Sequence, residues 1–125
     1  MKIHIAHSSG INYRDNIYAP LRNDEFFAQY DLILPHENSV DFQNARERYK
    51  DINIVIAECS KPSTGMGIEL GWLFDDKKPI FCLYKKGNTP SSALKAVAKE
   101  IVEYENTEDF VAKVKDIIAR TAHSV

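Results

Sequence analysis

Residues 62–71 read Pro-Ser-Thr-Gly-Met-Gly-Ile-Glu-Leu-Gly, and they set one carboxylate, Glu69, inside an otherwise apolar run. A helix opening near Gly65 would place Glu69 close to its N-terminus, where the helix dipole favours a charged carboxylate. Gly65 and Gly67 remove side chains ahead of it and let a substrate approach closely. A carboxylate held ionised in a tight pocket can attack a sugar carbon or steady an oxocarbenium ion. Simple charge compensation at a helix start would produce the same pattern, and these residues alone do not choose between the two. The glycine spacing is not that of a dinucleotide fingerprint, and no Gly-x-x-x-x-Gly-Lys-Ser/Thr sequence is present, which argues against P-loop nucleotide hydrolysis.

Other polar residues gather after apolar segments. His7-Ser8-Ser9-Gly10, His36-Glu37, Cys59 to Gly67 and the 85–92 stretch each follow a short β-type run. Serine hydroxyls and free backbone N–H groups at helix starts suit an anionic group, phosphate above all, although they also cap helices. Arg14 can add positive charge to such a site, and His7 can contact phosphate when protonated. His36 and Glu37 are candidates for proton transfer to or from a leaving group.

These residues need a frame. Residues 2–6, 31–35, 52–58, 79–84 and 100–104 read as strands, and the third is continuous and β-branched, as a buried parallel strand should be. Between them, residues 14–30 read as a helix broken near Pro20, 39–51 as a helix capped by Ser39, 68–76 as a helix, and 91–99 as a serine-capped helix. Residues 106–122 close the chain as an amphipathic helix that Thr107 or Asn106 can cap. Five strands alternating with helices predict a three-layer α/β/α sandwich on a five-stranded parallel sheet, flavodoxin-like or Rossmann-like. Such sheets bind ligands beyond the carboxyl ends of their strands, which is where the polar loops fall.

The chain of 125 residues fits one domain, 1–125. Its net charge of −2 comes without a Lys/Arg cluster, so binding to a nucleic-acid polymer is disfavoured. No apolar run approaches the ~20 residues of a membrane span, and the N-terminus is too short in apolar residues for a signal peptide. A cytoplasmic location is the expectation. Cys59 and Cys82 read as reduced, partly buried thiols. No Cys/His spacing suggests a metal, and nothing calls for a cofactor.

Residues 52–95 carry a resemblance. Ala57-Glu58, Pro62-Ser63-Thr64-Gly65-Met66-Gly67-Ile68-Glu69-Leu70-Gly71, Lys78-Pro79-Ile80, Cys82-Leu83-Tyr84 and Ser92-Ala93 follow in order. The stretch resembles the nucleoside 2-deoxyribosyltransferase superfamily, and within it the 2′-deoxynucleoside 5′-monophosphate N-hydrolases. The resemblance implies that Glu69 is the nucleophile of a covalent deoxyribosyl intermediate. It implies that Ser63 binds phosphate, that Ser92 does so from a neighbouring subunit of a homodimer, and that Ser8 and Ser9 meet the same phosphate. A small-molecule nucleotide is the expected partner, and hydrolysis of its N-glycosidic bond the expected reaction. Base exchange between nucleosides, or nucleotide binding without catalysis, are the alternatives. The sequence departs from the family in three places. The aspartate that protonates the leaving base aligns with Ala45, with Asp41 and Glu47 nearby. The tyrosine of the first strand is replaced at His4, and the glycine of the first loop at His7. His36, Glu37 and Asp41 are therefore the candidates for the missing acid.

Overall fold

The computed structural model describes residues 1–37 and 49–123. Five strands form one all-parallel sheet: β1 (Lys2–His7), β2 (Asp31–Ile33), β3 (Ile54–Glu58), β4 (Ile80–Lys85) and β5 (Glu100–Tyr104). Their order is β2-β1-β3-β4-β5, the flavodoxin-like arrangement. Pairing in register sets Ile3 beside Ile54, His7 beside Glu58, and Ala57 beside Cys82.

Alternation along the strands divides the core in two. Ile3, Ile5, Ile54, Ile56, Phe81 and Leu83 face one side, covered by α1 (Ala19–Arg22), its flanking turns and α3 (Thr107–His123). The stripe Phe110, Val114, Ile117 and Ile118 of α3 is completely buried there, as its helical spacing predicts. Ala6, Val55, Ala57, Ile80 and Cys82 face the other side, against Met66, Leu70 and Leu73 of α2 (Thr64–Asp75). Leu70 and Leu73 are fully buried, and truncating either to alanine would cost ~2–5 kcal/mol.

The ends of three strands are tied by one side chain. Glu58, buried at the end of β3, accepts from the backbone N–H of Ser60 at 2.6 Å and from its hydroxyl at 2.9 Å. Its Oε2 also accepts from the Tyr104 hydroxyl at the end of β5. Ser60 Oγ in turn accepts from the N–H of Lys85, closing β4, at 2.8 Å. The loop that carries Ser63 therefore leaves the sheet from a fixed base.

Several elements differ from the sequence-based expectation. Residues 14–30 are not one helix kinked at Pro20 but a π-helical turn (Arg14–Tyr18), α1, and a 3₁₀ turn (Glu25–Gln29). Pro20 sits in the first turn of α1, where its missing N–H costs nothing. The break falls at Asn23 and Asp24, and the Asp24 carboxylate caps the following turn by accepting from Phe26 N–H at 3.0 Å. Helix α2 begins at Thr64, next to the opening near Gly65 read from the Glu69 pattern and four residues ahead of the segment 68–76, with Ser63 as its cap. It ends at Asp75, and just past its cap Lys77 takes a φ of +62°, the left-handed conformation that usually closes a helix on glycine. Residues 91–99 give only a 3₁₀ turn (Ser92–Ala96), capped by Ser91. Asn106, not Thr107, caps α3, accepting from Asp109 N–H at 2.9 Å. The helix expected over 39–51 lies almost wholly outside the described residues. No helix among the described residues is long and apolar enough to cross a membrane.

Candidate active site

In this strand order the chain reverses direction across the sheet between β1 and β3, and the crevice beyond their carboxyl ends is where ligands of such sheets bind. Helix α2 starts there because Ser63, extended at φ −149°, takes Met66 N–H on its hydroxyl at 3.3 Å. Met66, Leu70 and Leu73 then fix the helix to the sheet. That rotation turns Glu69 toward β1 rather than into solvent.

Among the described residues, Glu69 has one donor on each oxygen. His4 Nε2–H donates to Oε1 at 2.8 Å, and the Tyr49 hydroxyl donates to Oε2 at 2.6 Å. The Glu69 side chain is 13% exposed. Burial pushes its carboxyl up, but the hydrogen bond from His4, and then that from Tyr49, work against burial, and the carboxyl is held below the ordinary carboxylate range. The result is a mostly buried carboxylate that stays charged.

Beside it stands an aromatic cluster. His7 stacks on Tyr13 with ring centroids 4.4 Å apart, and His36 lies 5.3 Å from His7 and 5.5 Å from Tyr13. The hydrogen bonds of His7 define its proton. Its Nδ1–H donates to Ser8 O at 2.9 Å, while Nε2 accepts from the Tyr18 hydroxyl at 2.7 Å. That hydroxyl accepts in turn from His36 N–H at 3.0 Å. Burial lowers the His7 imidazole from its usual value and pushes the Tyr18 hydroxyl up to about 12. His7 is therefore a neutral pin between the first and second loops, the backbone-bonded loop histidine that its position allows as readily as a phosphate contact.

The other expected residues are placed as follows. Ser8 is buried, and its Oγ accepts from Gly10 N–H at 3.0 Å. Ser9 and Arg14 are exposed on the same loop, with the Arg14 guanidinium 5.6 Å from the Tyr13 ring centroid. A Cβ added at Gly65 or Gly67 would meet nothing within 4 Å, so open space lies over both. Glu37 forms a two-pronged ion pair with Arg22, at 2.8 and 3.0 Å. Arg22 holds the Glu37 carboxyl low, which is the reverse of what a proton donor requires. His36 is exposed and offers its ring beside the cluster. Asp41 lies outside the described residues. Ser92 is exposed on its 3₁₀ turn. On the flank of α2 toward that turn, a cavity of about 470 Å³ is lined by Cys59, Ser63, Met66, Leu70, Ser91 and Leu94, among others. Glu69 is not in its wall. Among the described residues no cluster of His, Cys, Asp or Glu has the arrangement of a metal site.

Sequence reasoning missed Tyr49 and Tyr18. Both are tyrosines in stretches read simply as helical, and only the fold brings them to partners 20 and 18 residues away.

The fold and site together define a flavodoxin-like α/β domain with a charged, shielded glutamate at its topological switch point. The chain is similar to nucleotide N-hydrolases: it is 33% identical over 78 residues to a 5-hydroxymethyl-dUMP N-hydrolase of Tetraodon nigroviridis, covering 62% of this chain and 47% of that one. It is 39% identical over 59 residues to a 2′-deoxynucleoside 5′-phosphate N-hydrolase 1, assigned by inference, of Nematostella vectensis, covering 47% and 37%. The chain thus spans less than half the length of the curated relatives it matches. No family model matches it. Among solved structures, a CMP N-glycosidase of Clostridium botulinum superposes with a TM-score of 0.66 at 16% identity, over 91% of this chain and 98% of that one. A CheY-like receiver domain of Methanospirillum hungatei reaches 0.59 at 12% identity, over 98% of each. Identities this low speak for the fold alone, and the same fold serves both chemistries.

Proposed function

We propose that the protein cleaves the N-glycosidic bond of a nucleoside or 2′-deoxynucleoside 5′-monophosphate, with Glu69 as nucleophile. The observation that carries this reading is a glutamate kept ionised although mostly buried, at the switch point of the sheet. A Glu69 oxygen attacks C1′ of the sugar. The C1′–N bond breaks, and its electron pair leaves with the base, which takes up a proton. Water then hydrolyses the glycosyl ester, frees the carboxylate and yields the sugar phosphate. His36, exposed beside the aromatic cluster, is the described residue best placed to give the base its proton. The similarity to N-hydrolases of nucleoside monophosphates supports this substrate class.

Phosphate would sit at the start of α2, on Ser63 and the free N–H groups of the first turn. Ser8, Ser9 and Arg14 would close on it from the first loop. Gly65 and Gly67, with nothing over them, leave room for the sugar. Ser92 would act on the site of a second copy in a homodimer. Ile68 and Phe74, 45% and 53% exposed on α2, support that face as the contact. The two unpaired buried thiols, Cys59 and Cys82, favour a cytoplasmic setting.

The test is incubation with a panel of deoxynucleoside 5′-monophosphates and CMP, with and without an acceptor base, followed by chromatography of the products. Free base without acceptor is the expected result. A new nucleotide formed only with acceptor would mean transfer, and binding without turnover would mean a non-catalytic module. Ser63→Ala should raise KM for the monophosphate while leaving cleavage of the corresponding nucleoside unchanged. Its lost helix cap should cost about 1 kcal/mol in urea unfolding.

A further inference from the structure

One ring nitrogen of His4 has no partner. His4 lies in the middle of β1 between the fully buried Ile3 and Ile5, and its own side chain is 3% exposed. Nε2 meets Glu69 Oε1 at 2.8 Å. Nδ1 is buried, and among the described residues nothing bonds to it. The ring also packs edge-on against Tyr49, centroids 5.1 Å apart, and the Tyr49 hydroxyl occupies the other oxygen of Glu69.

An imidazole with an idle nitrogen inside a sheet costs stability that an aliphatic side chain would not. What the ring supplies in return is the contact at Nε2. That nitrogen faces an ionised oxygen, so it carries a hydrogen. A buried N–H with nothing to accept it is the rarest kind of orphan, so Nδ1 stays bare.

We propose that His4 is a positioning residue for Glu69: its Nε2–H, with the Tyr49 hydroxyl, holds the carboxylate charged and in one orientation for attack on the sugar carbon. The attack itself rests on the reading of Glu69 as nucleophile. The titratable groups that face Glu69 among the described residues are His4 and His7 from β1 and Tyr49 from the turn ahead of β3. Burial works to protonate the carboxyl, and His4 is the largest influence against it. Removing the His4 donor therefore moves the titration of Glu69 to higher pH.

The experiment follows the carboxyl carbon of Glu69 by ¹³C NMR across pH in the wild type, His4→Gln and His4→Leu. His4→Leu should titrate at higher pH, and His4→Gln, which keeps an N–H donor of similar reach, should stay near the wild type. With the nucleotide panel, kcat should fall about tenfold or more in His4→Leu, with KM unchanged, and recover in His4→Gln. An unshifted Glu69 titration in a folded His4→Leu protein overturns the proposal. If His4→Leu does not fold, ¹⁵N NMR of the wild-type imidazole decides. A hydrogen on Nε2 with Nδ1 bare supports it, and a hydrogen on Nδ1 with Nε2 bare overturns it. The carboxyl titration needs no turnover. A Glu69→Gln protein that retains activity would therefore refute the nucleophile and leave the His4 contact standing.

Discussion

Glu58 and Glu69 are both mostly buried, both reached from the β3 end of the sheet, and differently used. Glu58 spends its oxygens on the chain itself, taking two hydrogen bonds from Ser60 and one from Tyr104. Burial, and then Glu58, push the Tyr104 hydroxyl well above its usual value, so it remains a donor. Among the described residues Glu69 has a single donor on each oxygen, and it lies near glycines with open space above them. Burial of a carboxylate therefore does not by itself mark chemistry. What separates the two is how much hydrogen-bonding capacity the fold has already consumed.

Four substitutions or conditions would break or sharpen that contrast. The largest effect is expected from Glu69→Gln, which should lower base release by about a thousandfold or more while the protein still folds. Activity near that of the wild type would remove Glu69 from the chemistry. Glu58→Ala should do the opposite. It strands the Ser60 N–H and the Tyr104 hydroxyl and should cost about 2–4 kcal/mol in urea unfolding. Tyr49→Phe removes one donor from Glu69 and keeps the ring against His4, so kcat should fall about tenfold with stability nearly unchanged. The smallest effect is one of pH. The folded Glu69 carboxyl lies below its ordinary value of 4.5, so its charged form contributes stability that is complete above that pH. The contribution is lost as pH falls through the lower folded value. The difference in unfolding free energy between wild type and Glu69→Gln should therefore shrink on acidification from pH 4.5 downward, and a pH-independent difference would contradict the hydrogen-bonded carboxylate described above.

Much of the frame was legible because a parallel strand buried on both faces reads as an unbroken apolar run, as residues 52–58 and 79–84 do. The strand over 100–104 matched residue for residue. Helix α2 was set too late because Gly65 and Gly67 depress helix propensity, while the cap at Ser63 and burial of Met66 override it. Pro20 is the obvious breaker in residues 14–30, but a proline in a first turn is tolerated, and the break comes where Asp24, two residues beyond α1, caps the next turn. That Glu69 is a candidate for chemistry was readable from its setting between glycines and apolar residues, although that setting alone fits charge compensation equally well. Its partners were not, because His4 and Tyr49 reach it across 65 and 20 residues, and no local pattern encodes such contacts. His7 and Glu37 showed the same limit. Their residue types suited phosphate binding and proton donation, and the fold had committed one to Tyr18 and the other to Arg22.

The two outer strands bear on how copies of the molecule meet. β2 is three residues long and opens on Asp31, while β5 presents Glu100 and Glu103. A short strand on one rim and charged side chains on both, with Glu100 held by Arg120, make poor templates for a second sheet laid alongside. Continuous sheets across molecules are thereby discouraged.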